Sequence, residues 1–550
     1  MRGKLGLRLG LAALLAATVS AAALPAVIAG TAMAAAAQAP SAQATVQAAA
    51  KALGGIDRIR AVRNITLNGY GQIAYMFGGG RISGDPNAPE KYIAANELKR
   101  VYDLEHDRFQ QLERRNMLFP FLAPFGHSFA LNNLILDGDV AYDVQGDQAV
   151  RQARTSDGAL WVDGVHQRRM LMLNNPVALV RAMMDPATRL SAPRREGAAT
   201  AIDVTLKQGD KLTAGFDPAT GLPSWVRWAH PHTNLGQVTY TTYFTGWAVL
   251  PSGLMLPLGY DTRIDWRNVD YFKMYVDGYQ VDTAIPDLAA PAAVREAPEP
   301  PSYPAPQLTS VEAGKGIWRI SNGTTVVAFK DHLVLFELGV NSRGAAKAVL
   351  DYARTLAPGK PITHLIASHN HFDHTAGLRE AVAEGLTIVQ RKGSEGQFRE
   401  MATHPAPEFP DDLARSPKPF KFLAVDEHLR MQDETQTLDI YWGRENGHMA
   451  DVLFAYAPAD KLMMEGDLVT AAFEWQHWPD GFRDAIAYYK IDVQKISPVH
   501  SVWREHPDLL THEQAEELLA GGVKRARERC EAEKAKGYYL AGCPIQSKYY

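Results

Sequence analysis

Between residues 285 and 308 the chain reads IPDLAAPAAVREAPEPPSYPAPQL, with seven prolines from Pro286 to Pro306. Each proline fixes its own φ and removes a backbone donor, so neither a long helix nor a sheet interior can run through this stretch. A stiff, extended linker is expected over 286–307. It divides a chain of 550 residues, too long for one ordinary core, into two parts of similar size. Hydrophobic residues at 46% and charged residues at 21% are ordinary globular values, which argue against disorder or a multi-span membrane protein. A formal charge of −4 and the lack of any Lys/Arg cluster give no electrostatic case for nucleic acid.

The start of the chain reads as a secretory signal over residues 1–37. Arg2, Lys4 and Arg8 form a basic opening, residues 9–37 carry no charge, and Ala32/Ala34 or Ala35/Ala37 suit a signal peptidase. The Ala-heavy composition disfavours a retained membrane anchor. A periplasmic or secreted protein follows, with no stable membrane insertion after cleavage. In that compartment Cys530 and Cys543 are expected to pair rather than remain free, closing a short loop worth about 3 kcal/mol.

The part before the linker, 41–285, is expected to be an antiparallel β-rich domain. Residues 64–70, 238–244 and 271–276 alternate and are rich in aromatic and β-branched side chains. Turn formers at 216–223 and 250–257 separate further strand candidates, and a short helix over 43–53 ends at Gly54-Gly55. This strand–turn rhythm and the LGG opening weakly resemble the half-barrels of periplasmic lipoprotein carriers, which implies a concave apolar surface. His127, His166, His230 and His232 lack ligand spacing to any acidic partner and read as surface or packing histidines.

After the linker, strand and helix alternate. Residues 325–329 and 333–337 read as a strand pair turning at Lys330-Asp331-His332, followed by a helix over 344–356 and an apolar strand over 362–368. A helical tail over 511–550 opens with a capping pattern at Thr511-His512-Glu513-Gln514.

Directly after the 362–368 strand comes HNHFDHTAG, placing His369, His371, Asp373 and His374 within six residues. His369 and His371 can point one way from an extended segment, while Asp373 and His374 fall around the following turn. His448 follows a likely strand, and Asp467 and His500 end later apolar stretches, where an α/β sheet places its ligand crevice. Imidazole and carboxylate are the ligands expected for zinc-type ions in hydrolytic sites. His332, His364 and His404 lack this register and read as structural or as supporting the ligands from behind.

HNHFDHTAG, GHMADVLFAYAPADKLMMEGD and SPVH, in that order, resemble the metallo-β-lactamase superfamily over residues 308–503. The resemblance implies an αββα sandwich over 308–510 holding two divalent ions, zinc in many members. It implies that His369, His371 and His448 hold the first ion, that Asp373, His374 and His500 hold the second, and that Asp467 bridges them. Two departures, Glu337-Leu338-Gly339 and Ser501, are read as lying outside the ligand set. His371 stands where the oxygen-reducing di-iron branch carries Glu, which favours hydrolysis over redox chemistry.

An exported binuclear hydrolase is therefore expected. A water shared by two cations supplies the attacking hydroxide, with Asp373 as the catalytic residue that orients it. The expected substrate is a small molecule with an amide, lactone or other ester bond. β-Lactams are included but not favoured, because a bridging Asp467 fits lactonase-like branches better. Phosphodiester or sulfate-ester hydrolysis is the alternative, and an apolar-ligand-binding protein with a structural metal site is the alternative of a different class. Phe473, Trp475 and Trp478 are expected to wall the substrate pocket. The sequence leaves oligomeric state open.

Overall fold

Period-two alternation over long stretches makes the first half of the chain a single antiparallel sheet of 14 strands. Strand Asn64–Ala74 lies at its middle, paired with Tyr92–Asp103 on one side and with Asp270–Val281 on the other. The first and last strands of the domain thus meet. The computed structural model describes residues 41–76, 90–117, 130–152, 164–299, 307–338, 343–444, 446, 448–469, 480–500, 508–539, 543 and 546–550. The expected signal over 1–37 and His127 lie outside them.

Helix Ala42–Ala52 is capped by Ser41, whose hydroxyl accepts the Ala44 N–H at 3.2 Å, and it buries Val46, Ala49 and Ala50. With helix Pro176–Met183 it fills one face of the sheet, contributing Val177, Leu179 and Val180 to the core. The proline-rich segment does not stand off as a plain extended spacer. Its described part forms the short helix Ala292–Glu296 and buries Leu288, Ala290 and Val294 against Val101, Ile135 and Tyr142. Asp137 fixes it there, accepting the Ala290 N–H at 2.7 Å and pairing with Arg295 and, at 2.8 Å, with Arg108.

The later part holds two mixed sheets, of 7 and 6 strands. Alternation along Thr325–Ala328 and Leu333–Phe336 assigns each side chain its layer. Val327, Val334 and Phe336 point between the sheets, where they meet Ile440, Leu453 and Ala455 of the second sheet. Val326, Leu333 and Leu335 point the other way, onto Ala346, Val349 and Leu350 of helix Arg343–Leu356. The outer face of the second sheet packs Phe454, Met463 and Ile496 on Phe482 and Leu519 of helices Gly481–Tyr489 and His512–Ala535. The last helix carries the expected capping box, Thr511 and Gln514. Cys530 and Cys543 form a disulfide with a Cα–Cα separation of 5.8 Å.

All the described residues belong to one compact unit. The apolar core runs without a break from Leu235 and Trp266 of the first sheet to Phe372 and Leu378 beside the His-rich turn. None of the helices among the described residues is long and apolar enough to cross a membrane.

Asp137→Ala leaves Arg108 and Arg295 without their carboxylate and releases the Ala290 amide. We expect a loss of about 2 kcal/mol from these charge-assisted bonds and faster protease cleavage between residues 286 and 299. Denaturant titration and limited proteolysis measure the two effects.

Candidate metal centre

The functional side chains all leave the carboxyl ends of strands in the two mixed sheets. Ile362–Ile366 delivers His369, His371, Asp373 and His374; Leu462–Glu465 delivers Asp467; Lys495–Pro498 delivers His500. His448 comes from the connection between Thr437–Trp442 and Leu453–Ala457, where its N–H donates to the Asn446 side chain at 2.7 Å. The turn after His371 closes locally, with its carbonyl accepting the N–H groups of His374 and Thr375 at 3.1 and 3.0 Å and the Thr375 hydroxyl at 2.9 Å. That turn brings Asp373 and His374 back towards the strand ends.

Two groups of ligand-type atoms result. His369, His371, His448 and Asp467 form one, and Asp373, His374 and His500 form the other, with the offered atoms of each within 4.8 Å of one another. In the first group His369 Nε2 lies 2.9 Å from His371 Nδ1 and 3.2 Å from His448 Nε2. In the second, His374 Nε2 lies 3.2 Å from His500 Nε2. Asp467 faces both: its Oδ2 lies 3.0 Å from His448 Nε2 and 3.4 Å from His374 Nε2, and its Oδ1 lies 3.2 Å from His500 Nε2.

Imidazole nitrogens crowded in this way repel one another unless a proton or a cation sits between them. Bonds of about 2.0–2.1 Å to a tetrahedral zinc place neighbouring ligand nitrogens about 3.3–3.4 Å apart, close to the spacing seen here. The charge pattern agrees. Burial, reinforced by the neighbouring imidazoles, holds His369 and His371 well below the ordinary histidine pKa, so their lone pairs are available. For His374 burial acts in the same sense, but Asp373, Asp467 and Glu337 outweigh it and favour positive charge there. Burial would raise the Asp467 carboxyl, yet His374 and His500 bring it well below the usual range. Asp373 Oδ1 is buried with no hydrogen-bond partner among the described residues. An orphaned carboxylate oxygen is costly, and a divalent cation beside it, or a water that such a cation holds, would satisfy it. The residues present therefore fit two ions.

Behind the ligands a further layer fixes their orientation. Ser368 Oγ lies 2.9 Å from His369 Nδ1 and 3.4 Å from His374 Nδ1, which turns both Nε2 atoms towards the site. Gly466 makes this possible, since a Cβ there would stand 2.2 Å from Ser368 Oγ. Glu337, expected to lie away from the ligands, in fact backs one of them. It accepts the Ser368 N–H at 2.6 Å and places its other oxygen 3.4 Å from His374 Nδ1. Glu337 and Asp467 both adopt positive φ, 65° and 66°, a strain retained where the surroundings over-determine it. Glu465 accepts the N–H groups of Leu468 and Val469 at 2.7 and 3.0 Å and so braces the loop that carries Asp467.

Other expected residues fall elsewhere. His332 pairs with Asp331 at 2.6 Å, and His404 faces Asp265 at 3.6 Å, so both stand apart from the ligand groups. His364 packs near His332, with ring centroids 6.2 Å apart. His166 does have an acidic partner, Asp210 at 2.7 Å, contrary to expectation, because the fold closes a long sequence gap. Phe473, Trp475, Trp478 and Ser501 lie outside the described residues.

The first sheet reaches this centre directly. The Asn234 side-chain amide donates to the Phe372 carbonyl at 2.7 Å and to the Thr375 hydroxyl at 2.9 Å, bracing the turn that carries Asp373 and His374. His232 and Trp266 clasp the Phe372 ring, with centroid distances of 5.4 and 5.6 Å. No local pattern around Asn234 marks it in the sequence.

Residues 318–514 match the family model of the metallo-beta-lactamase superfamily, which supports a metal-dependent hydrolase at the superfamily level. Among solved structures, a metallo-beta-lactamase from Pontibacter korlensis is 17% identical, with 39% of this chain and 98% of that chain covered and a TM-score of 0.30. The DIM-1 metallo-beta-lactamase is 15% identical, with 40% and 99% covered and a TM-score of 0.31. No curated protein matches the chain.

Asn234→Ala removes two buried hydrogen bonds across the junction and strands their acceptors. In metal-free protein it is expected to cost about 1–3 kcal/mol. A denaturant midpoint unchanged from the parent protein would show that Asn234 does not brace the turn.

Proposed function

Because the chain carries a metallo-beta-lactamase superfamily domain, we propose that it is an exported hydrolase that holds two divalent ions, zinc in the simplest case. Its bond is an amide, lactone or other ester of a small molecule. One observation carries this reading: Asp467 faces both groups of ligand atoms, its Oδ2 lying near His448 of the first and His374 of the second and its Oδ1 near His500 of the second, so a single carboxylate can serve both. The layering of helix, sheet, sheet and helix supports the αββα sandwich that such a centre requires.

His369, His371 and His448 would hold the first ion and Asp373, His374 and His500 the second, with Asp467 able to serve both. Bound there, the ions supply Lewis acidity and lower the pKa of a coordinated water. The protein residues do the rest. Ser368 and Glu337 keep the Nε2 atoms of His369 and His374 turned inward. Asp373 Oδ2 stands 3.3 Å from His500 Nε2, while Oδ1 has no hydrogen-bond partner among the described residues and would accept a hydrogen bond from the attacking water. His500 has a side chain 30% accessible, which supports a substrate approach from that side. Phe473, Trp475 and Trp478 belong to the proposal as the apolar wall of that approach.

Full-length protein should contain two zinc ions per chain. Hydrolysis of a lactone, amide or ester should disappear on chelation and return with zinc. Asp373→Ala should lower kcat by about 10²-fold or more, the usual scale for losing a positioned proton acceptor. Turnover unchanged by Asp373→Ala with metal retained would contradict the proposal, as would turnover confined to phosphodiester or sulfate-ester substrates.

A further inference from the structure

The first sheet curls around a small cavity. Arg100, on Tyr92–Asp103, and Trp228, on Pro223–His232, both line it, although four strands stand between theirs in the sheet order. On a flat sheet that separation would be about 24 Å, so curvature must bring the two side chains together. Gln167, on helix Gly164–Leu173, and Asn174, just beyond that helix, also line the cavity. Its volume is about 20 Å³, room for one water or one monatomic ion.

The polar groups around it are out of balance. Arg100 is 2% exposed, and no salt bridge reaches it among the described residues. Its Nε donates to Gln111 Oε1 at 2.9 Å, and its guanidinium lies over the Phe272 ring, 5.3 Å from the centroid. Gln111 in turn donates to Glu113 at 3.1 Å, but that buried carboxylate pairs with Arg115 at 2.5 Å. Burial pushes the Tyr102 phenol up, against the pull of Arg100, so Tyr102 brings no countercharge. A guanidinium buried without a counterion is costly. The Trp228 Nε1–H is also buried with no hydrogen-bond partner among the described residues, as are Gln167 Oε1 and Asn174 Oδ1. A half-turn of either amide would present its NH2 group in place of the orphaned oxygen.

We propose that this cavity binds one small monovalent anion, chloride in the simplest case, between the Arg100 guanidinium and the Trp228 indole N–H. The anion supplies the charge that Arg100 lacks, and the turned amides of Gln167 and Asn174 complete its shell. A water in the same place would satisfy the amides but leave Arg100 without a counterion. By linking two distant strands and helix Gly164–Leu173, the anion would stabilise the curl of the first sheet. The inference stands apart from the two-ion reading.

Two measurements on zinc-loaded full-length protein test it. Crystals grown in bromide and measured at the bromine absorption edge should show a peak in the cavity, beside Arg100 and Trp228 Nε1. The urea midpoint should rise with chloride and level off as for one site, relative to gluconate at equal ionic strength, an anion too large to enter. Trp228→Phe should raise the half-saturating chloride concentration about tenfold, the scale of one hydrogen bond to a charged group. Arg100→Met should abolish the chloride effect, whereas chloride held at the metal centre would act equally in that variant. Should Arg100→Met fail to fold, the bromide peak and Trp228→Phe decide the matter. Bromide found only at exposed positions, or a chloride dependence unchanged by Trp228→Phe, would overturn the proposal.

Discussion

Asp467 lies where two sets of imidazoles would otherwise confront one another with nothing between them but lone pairs. Its oxygens stand 3.0–3.4 Å from nitrogens of His448, His374 and His500, and its backbone is held at a φ of 66° to put them there. Much of the surrounding structure serves that placement. Glu465 ties down the amides that follow it, Gly466 leaves room for Ser368, and Ser368 in turn orients His369 and His374. A site built from crowded imidazoles, buried carboxylates and strained backbone is unfavourable by itself. Divalent cations would turn the same crowding into coordination, and their binding free energy would offset the strain.

The first sheet takes part in this arrangement. Its core is continuous with that of the metal-binding part, and Asn234 braces the turn between His371 and Thr375. The proline-rich segment also lies against this sheet, with Leu288, Ala290 and Val294 buried. A domain that shares its core with the active centre has its position fixed by packing rather than by a tether.

The sequence made the metal-binding half legible because its information is local. His369, His371, Asp373 and His374 sit within six residues, so one turn brings them together, and Asp467 and His500 each end an apolar run while His448 follows shortly after a strand. Alternation in residues 64–70, 238–244 and 271–276 marks strands because burial on a sheet has period two. Contacts across long gaps leave no such trace. Asn234 meets Phe372 across 138 positions, and His166 meets Asp210 across 44. Glu337 looks like an ordinary end to an apolar strand until the fold places it behind His374. The seven prolines correctly exclude a long helix or an inner strand, but backbone restriction alone cannot tell an extended spacer from a segment packed on a neighbour.

The central claim is that these residues hold two ions with one carboxylate between them. Crystals of zinc-loaded protein, measured at the zinc absorption edge, test it most directly. The account predicts two anomalous peaks: one bonded to His369, His371 and His448, the other to Asp373, His374 and His500, and both in contact with Asp467. A single peak at full zinc saturation, or Asp467 bound to neither ion, would contradict it.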